Sequence, residues 1–458
     1  MSEVKQWKTV RIGDALKLVN GRAFKPTEWK QSGLPIIRIQ NLNNPAAPYN
    51  YYDGDLPEKF LVKPGDLLFA WSGTPGTSFG AHIWRDGTAW LNQHIFKVLF
   101  DENDFDKRFL QLAINQNLQE YIRQAHGGAG LAHITKGKFE ASEIPKPPVK
   151  VQQEIVGEID KQFSRLDESV TSLKRIQANL KRYKAAVLKA AVEGKLTELW
   201  RKEHPDVEPA DQLLKRILAE RRAKWEADEL AKMKAKGMKP KDDSWKKKYK
   251  EPVGPDAANL PELPEGWVWA TLPQLGELNR GKSKHRPRNA PHLYGGPYPF
   301  IQTGDIRAAN RILKSFSQTY SKAGLEQSRL WPAGTLCITI AANIADTAIL
   351  GIEACFPDSV VGFLVEENHC ETGFVEYFIR TAKENIERYA PATAQKNINL
   401  EILTEIAVAL PPLTEQRTIL KEIDRRLSVT EELEATIETN LKRAERLRQT
   451  ILQRAFNE

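Results

Sequence analysis

The sequence predicts an α/β (mixed α+β) two-domain repeat in which the domains are separated by a long antiparallel coiled coil of two helices of one type. Three observations predict it. From Val151 to Val192 the apolar residues Ile155, Ile159, Phe163, Leu166, Val170, Leu173, Ile176, Leu180, Tyr183 and Val187 recur at steps of three and four, the mark of a long amphipathic helix with a narrow apolar seam. Near the end of the chain Ile419, Ile423, Leu427, Thr430, Leu433, Ile437, Leu441, Ala444, Leu447 and Ile451 repeat the pattern. Each run follows the same stop, Pro145-Lys146-Pro147-Pro148 or Pro411-Pro412, where proline excludes helix upstream and lets one begin downstream.

Words as well as patterns recur. Glu158-Ile159-Asp160 returns 264 residues later as Glu422-Ile423-Asp424. Asn179-Leu180-Lys181-Arg182 returns as Asn440-Leu441-Lys442-Arg443 at an offset of 261, a three-residue slip of the stammer type. The seam that would pair the helices is Ile159, Leu166, Val170, Leu173, Leu180 and Val187 on one, with Ile423, Leu433, Ile437, Leu441, Leu447 and Ile451 on the other.

Taken in order, residues 1–148 read as one mixed α/β domain. Short β-rich runs at Pro35–Ile39, Asp66–Ala70 and His94–Phe100 alternate with glycine- and proline-marked turns, and a helical pattern covers Phe105 to Gln124. The first long helix occupies 149–204, with Gly194 placed as its C′ residue. Residues 205–262 form a charged, partly helical connector with a lysine cluster at Lys246-Lys247-Lys248; a solvated face is preferred over phosphate contact for those lysines. The second domain, 263–410, follows the first in outline. Leu34-Pro-Ile-Ile-Arg-Ile-Gln-Asn41 answers Tyr298-Pro-Phe-Ile-Gln-Thr-Gly-Asp305, and Val62-Lys-Pro-Gly-Asp-Leu-Leu-Phe69 answers Trp331-Pro-Ala-Gly-Thr-Leu-Cys-Ile338. The second helix fills 411–458.

Composition bounds the function. A chain of 458 residues with 41% apolar and 28% charged residues is globular and long enough for about three domains. A net charge of +8 is compatible with nucleic acid or another anionic surface. The opening Met1-Ser-Glu-Val-Lys-Gln-Trp7 has no apolar core of signal-peptide length, and no stretch is apolar enough to span a membrane, so a cytoplasmic chain is expected. Cys337, Cys355 and Cys370 show no Cys-x-x-Cys spacing; buried free thiols are expected, with no metal site.

Two seam-bearing helices, each about forty residues and so roughly 60 Å long, should bury their seams against each other. Antiparallel pairing is favoured because repeats usually close on a two-fold axis. It places two domains at opposite ends of a spacer, an arrangement suited to a double helix whose face recurs every ~34 Å.

Gly276-Glu-Leu-Asn-Arg-Gly281-Lys282-Ser283 fits the letters of a phosphate-cradling P-loop. That loop needs a strand before it and a helix after it, yet Pro273 interrupts the run before and Lys284-His-Arg-Pro-Arg-Asn-Ala-Pro291 is no helix. Its two glycines also fall near the places of Gly13 and Gly21 in the first repeat. No hydrolase elbow, zinc helix, dinucleotide fingerprint or methyltransferase Asn-Pro-Pro-Tyr loop is present. A non-catalytic chain is expected, with an NTP-using enzyme or a structural coiled-coil adaptor as alternatives.

The domains do offer groups that read bases. Asn and Gln bond adenine bidentately, and Arg or Lys does so with guanine. The first-domain candidates are Arg38, Gln40, Asn41, Asn43, Ser72, Thr74, Thr77, Gln93, His94, His133, Lys136 and Lys138. In the second domain they are Arg280, Lys282, Lys284, Arg286, Arg288, Gln302, Thr303, Arg307, Asn343, Lys396 and Asn397. For any one of them, a solvated loop side chain or a turn-former is the competing explanation.

Two dissimilar α/β domains, each followed by a similar long helix after a Pro-Pro stop, resemble the specificity subunit of Type I restriction–modification systems. The resemblance covers nearly the whole chain. It is carried by Ile144-Pro-Lys-Pro-Pro-Val-Lys-Val-Gln-Gln-Glu-Ile155 with Leu410-Pro-Pro-Leu-Thr-Glu-Gln-Arg-Thr-Ile419, by Leu188-Lys-Ala-Ala-Val-Glu-Gly-Lys-Leu-Thr-Glu-Leu-Trp-Arg201, and by the domain openings at Trp7 and at Leu263-Pro-Glu-Gly-Trp-Val-Trp269. One departure is that the second helix lacks the Gly-Lys-Leu-Thr tail of the first. The resemblance implies two target-recognition domains reading the halves of a split, asymmetric DNA sequence, with the coil fixing the gap. It implies no cofactor in this chain. Two adenine-N6 methyltransferase subunits using S-adenosylmethionine, and two ATP- and Mg-dependent translocating nuclease subunits, would be its partners.

Overall fold

Each α/β domain is tied shut by its own two ends, and the tie hands the chain to a long helix. The computed structural model describes residues 7–44, 46–73, 78–124, 132–240, 242–256, 258, 260–285, 287–341, 345–366, 368–388 and 400–457. Thr9–Arg11 pairs antiparallel with Glu143–Pro145, and Val268–Thr271 pairs antiparallel with Ala407–Leu410. In both repeats the closing strand runs directly into the Pro-Pro stop. The long helices then follow at Val149–Val192 and Leu413–Asn457. Two compact units result, Met1–Ile176 with Thr436–Glu458, and Gln177–Ala435.

Inside the first unit, a four-stranded antiparallel sheet has the order Lys17–Asn20, Ile95–Leu99, Leu67–Ala70, Gly80–Ile83. A second sheet, Asn50–Tyr52, Leu34–Ile37, Ala89–Leu91, Leu61–Val62, contains one parallel pair, Leu34–Ile37 beside Ala89–Leu91. Phe69 lies under the first sheet, stacked on Phe139 at 3.9 Å and edge-on to Tyr121. Burying rings of this size contributes about 1.5–3 kcal/mol each. The helical pattern expected over Phe105–Gln124 resolves into Lys107–Gln116, capped by Asp106, and Leu118–Gln124.

Inside the second unit, the main sheet is Glu277–Arg280, Val360–Leu364, Leu336–Thr339, Thr347–Leu350, Ile312–Leu313, and Tyr294–Phe300 pairs separately with Gln318–Tyr320. The connector belongs to this unit's core. Its helix, Ala210–Ala235, buries Leu213, Leu214 and Ile217 in one cluster with Trp267, Leu272, Phe374 and Ile419. The first long helix ends as expected at Gly194, whose φ of +70° closes a turn in which the Lys195 N–H donates to the Ala190 carbonyl. The tail beyond it is anchored on Glu415, which is fully buried. Its carboxylate accepts from Thr197 Oγ1 (2.7 Å), Arg201 Nη2 (2.9 Å) and Trp267 Nε1 (2.9 Å). The domain-opening Trp267 and the Gly-Lys-Leu-Thr tail of the first helix therefore meet at one buried carboxyl group.

The repeat is clearest at a pair of buried glutamines. Gln152 and Gln416, 264 residues apart, are both fully buried. Gln152 Nε2 donates to the carbonyls of Pro147 (2.7 Å) and Asp104 (2.9 Å), and its Oε1 accepts from the Asp106 N–H (2.8 Å). Gln416 Nε2 donates to Pro411 (2.9 Å), and its Oε1 accepts from the Glu371 N–H (2.8 Å). Farther along each helix, Asp160 binds Arg108 at 2.9 Å and Asp424 binds Arg311 at 3.1 Å. Arg311 holds a left-handed backbone (φ +67°) and also reaches the buried Glu376 at 2.9 Å.

Within each unit the helices run antiparallel. In the first, Asp167 pairs with Arg448 (2.8 Å), whose guanidinium lies over Phe163, while Ile159 and Phe109 pack with Phe456 farther along. In the second, Lys184 pairs with Glu434, and Thr197 reaches back to Glu415. These pairs correct the expected seam. Leu433 and Leu447 are 46% and 47% exposed; beside Leu433 the half-buried Glu434 bonds across the helices to Lys184, and beside Leu447 the exposed Arg448 bonds across to Asp167. Ile159, Val187, Ile423 and Ile437 are buried, Ile159 and Ile423 within the core clusters of their domains; Leu166, Val170, Leu173, Leu180, Leu441 and Ile451 are half-buried.

Gln152→Ala should lower unfolding stability by roughly 2–4 kcal/mol through carbonyls and an N–H left without partners in a buried site. Chemical unfolding followed by circular dichroism checks this, and a change below ~1 kcal/mol contradicts the clamp. Cys337, Cys355 and Cys370 are buried, and burial pushes all three thiols upward in pKa. A thiol reagent at pH 8 should label none of them in the folded chain and all three in denaturant.

Candidate nucleic-acid interface

In both domains one topological device gathers the candidate side chains. Leu34–Ile37 and Ala89–Leu91 run parallel, with Ile37 opposite Leu91, so the turns that follow leave the same sheet edge. One is the helical turn Ile39–Asn43 and the other is Asn92-Gln93-His94. In the second domain Phe300 bridges Cys355 in parallel, and the Ile301 N–H donates to the Cys355 carbonyl at 2.8 Å. There the helical turn Thr303–Ala308 and the turn at Pro357-Asp358 leave together.

The helical turns are register copies. The Arg38 N–H donates to Asn41 Oδ1 (3.0 Å), and the Gln302 N–H donates to Asp305 Oδ2 (2.8 Å), again 264 residues apart. Asn41 is 2% exposed, and its Nδ2 also donates to the Ala47 carbonyl (3.1 Å). Asn41 therefore leaves the set of base readers, since its amide is consumed in holding the turn. What the shared anchor presents differs between copies. Arg38, which lies over the Trp29 ring at 5.6 Å, answers Gln302, and the exposed Asn43 answers the exposed Arg307. Gln302 Nε2 donates to Gln318 Oε1, leaving one amide acceptor and one amide donor side by side. Thr303 is half-exposed beside Gln302, while Gln40 is exposed and donates to the Pro48 carbonyl at 3.3 Å. A cavity of about 400 Å³ opens next to the second turn, lined by Asp305, Asn310, Lys314, Phe316 and Ser317.

The other turn in the first domain carries an aromatic cluster. Gln93 is exposed and its Nε2 donates to His94 Nε2 (3.2 Å). His94 Nδ1 is buried without a hydrogen-bond partner among the described residues. Burial, and secondarily the charge of His133, hold the His94 imidazole below the usual histidine range, so it is uncharged at neutral pH. Trp71 joins the group, with ring centroids 5.3 Å from His94 and 4.6 Å from His133. His133 reaches it because Ala132–His133 pairs with Ser72–Gly73. Ser72 itself is 9% exposed and serves that ladder, a correction to its place among the readers. The letters alone passed over Trp71, though its place between a buried strand and a Ser-Gly turn is the signal that would have found it.

In the second domain the corresponding turn is a bracket. Asp358 accepts from Arg280 Nε through its carbonyl (3.0 Å) and from Arg288 Nη2 through its carboxylate (2.7 Å). Between those arginines the chain alternates, with Lys282 and Lys284 exposed and Gly281 and Ser283 buried, so Arg280, Lys282 and Lys284 form a basic row on one side. Lys136 stands apart, reaching the Leu18 carbonyl (3.4 Å) and Glu140 (3.5 Å); Lys138 on the same short helix is half-buried. Thr74, Thr77, Arg286, Asn343, Lys396 and Asn397 lie outside the described residues.

A family model described as "Type I restriction modification DNA specificity domain" matches the chain twice, over residues 4–182 and 264–443. The chain belongs to the Type I restriction–modification DNA specificity family. Among curated members, it is 23% identical to the EcoBI specificity subunit of Escherichia coli over 98% of this chain and 85% of that one. It is 22% identical to the EcoKI specificity subunit of Escherichia coli strain K12, over 98% and 88%. Among solved structures, a chain from work on complex assembly and conformational transition of the type I R-M system matches at a TM-score of 0.65, with 16% identity over 100% of this chain and 99% of that one. The HsdS subunit from Thermoanaerobacter tengcongensis matches at 0.53, with 17% identity over 99% and 97%.

Membership in this family also agrees with the fate of the P-loop letters. Glu277–Arg280 is a sheet strand inside the motif, and among the described residues no helix follows Ser283 before a short 3-10 turn at Pro291–Leu293. The glycines answer to close packing instead. A Cβ on Gly281 would stand 2.3 Å from the Phe356 carbonyl, as one on Gly21 would stand 2.0 Å from that of Asn92. Gly13, by contrast, lies within the short helix Ile12–Ala15, whereas Gly276 follows the short helix Leu272–Leu275, so only Gly21 and Gly281 are counterparts.

Gln302→Arg, which installs the residue of the register copy, should change base preference at one position of one half-site by about 1–3 kcal/mol. Competition binding with duplexes varied one half at a time checks it, and a change in both halves, or in neither, contradicts the assignment.

Proposed function

We propose that this Type I specificity chain reads a split, asymmetric DNA sequence, one half with each α/β domain, and that the paired helices set the unread gap. The observation that carries the reading is the duplicated turn. One backbone, anchored identically by Asn41 or Asp305, holds Arg38 and Asn43 in one copy and Gln302 and Arg307 in the other. Arginine reads guanine and amides read adenine, so equal scaffolds carrying unequal side chains select unequal half-sites. Gln93 and His94 extend the first reading edge; Arg280, Lys282, Lys284 and Arg288 extend the second.

In this reading the chemistry lies in partner subunits. Two copies of an adenine-N6 methyltransferase subunit, using S-adenosylmethionine, dock on the helices, and two ATP- and Mg-dependent translocating nuclease subunits complete the assembly in the cytoplasm. Apolar side chains left outward support such docking. Ile176 and Leu447 are 45% and 47% exposed in the first unit, and Tyr183, Val429 and Leu433 are 43%, 57% and 46% exposed in the second.

Co-expression with the methyltransferase encoded beside it, followed by single-molecule mapping of N6-methyladenine, tests the proposal. The expected result is a split motif with a constant gap that disappears when this chain is deleted. Replacing residues 1–148 with another member's domain should change one half of the motif only. Methylation without a split motif, or both halves changing together, overturns it.

A further inference from the structure

The connector ends in a basic arm that neither reading edge accounts for. Its helix, Ala210–Ala235, closes at Gly237 in a left-handed turn (φ +68°). The chain then folds back along the same helix. Asp242 caps the return through the Ser244 N–H (2.9 Å), Trp245 stacks on Trp225 (6.0 Å, 21° between planes), and Tyr249 packs on Trp225 at 5.3 Å. Arg222 reaches Glu251 at 3.1 Å. A three-ring clamp thus makes a hairpin of what the letters read as a charged, partly helical connector.

Charge is sorted along it. Toward the body, cations and anions are matched: Arg216 with Glu208, Lys215 with Asp211 and Lys224 with Glu366, while Glu220 bonds to the His369 imidazole. Lys232 and Lys246 close the matched part on Glu229 and Glu226. From Lys232 to Lys250 the sequence holds nine lysines against two aspartates. Lys234, Lys236, Lys239, Lys247, Lys248 and Lys250 are exposed and form no ion pair among the described residues. A solvated face has no need of such sorting, whereas a phosphate backbone, with one negative charge per ~1.7 Å of duplex, is its complement.

We propose that this arm binds the backbone of double-stranded DNA and adds affinity without sequence preference. The inference rests on the chain's being a DNA-specificity subunit but on neither reading edge. The test uses the full chain co-purified with its methyltransferase and two duplexes of equal length, one carrying the methylated motif and one without it. Two variants are compared, one with the six lysines changed to glutamine and one with the same six changed to arginine. The expected result for the glutamine variant is binding weakened roughly tenfold or more on both duplexes alike at ~0.1 M salt. The slope of log affinity against log salt should shrink by about 0.9 for each phosphate that is no longer neutralised. Arginine should restore both. Unchanged affinity and slope overturn the proposal, as does loss of co-purification with the methyltransferase, which would make the arm a protein-docking surface. If the unaltered complex does not distinguish the duplexes, it is the base-reading proposal that fails, and the response on the unmarked duplex still decides the arm.

Discussion

A buried glutamine at the start of each long helix is the constraint on which each repeat depends. Proline supplies a carbonyl with no N–H behind it, and the helix's first turn supplies the amide that satisfies it. The same amide accepts from a backbone N–H of the domain, at Asp106 in one repeat and Glu371 in the other. One side chain therefore fixes where the helix begins and how it meets its domain. Asp160 and Asp424 repeat the lock farther along through Arg108 and Arg311. Such groups tolerate little replacement, because an unmet donor in a dry site is costly.

The candidate edges follow from a second constraint, a parallel pairing in each domain. Parallel neighbours send their following turns out of the same end, so Ile37 beside Leu91, and Phe300 beside Cys355, bring distant segments together without a long-range side-chain bond. The two copies then diverge. The first builds an indole and two imidazoles around its second turn, and the second ties two arginines to Asp358.

Much of this was legible in the letters, and the failures have physical reasons. The Pro-Pro stops and the Gly194 cap are local, and backbone sterics express them directly; the 264-residue period shows because the same words recur in the letters. The seam was legible only in part, since Leu433 and Glu434 both fit steps of three and four, and only the cross-helix partner Lys184 decides which turns inward. Asn41 and Ser72 looked like readers because an amide or hydroxyl in a loop has the same letter whether it faces solvent or caps a turn. Gly276 to Ser283 matched a phosphate loop in letters, while the sheet pairing Glu277–Arg280 with Val361–Leu364 is a long-range fact that no eight-residue window contains. Trp71 was missed because its neighbours, His94 and His133, are far from it in sequence.

The anchored turn bears on how such chains change over generations. Asn41 and Asp305 each accept the backbone N–H three residues before them, so the turn is closed at the same position in both copies. On the proposed reading, point changes at 38 or 43, or at 302 or 307, would give such a chain a new target while the anchoring position stays as it is, without the exchange of a whole domain.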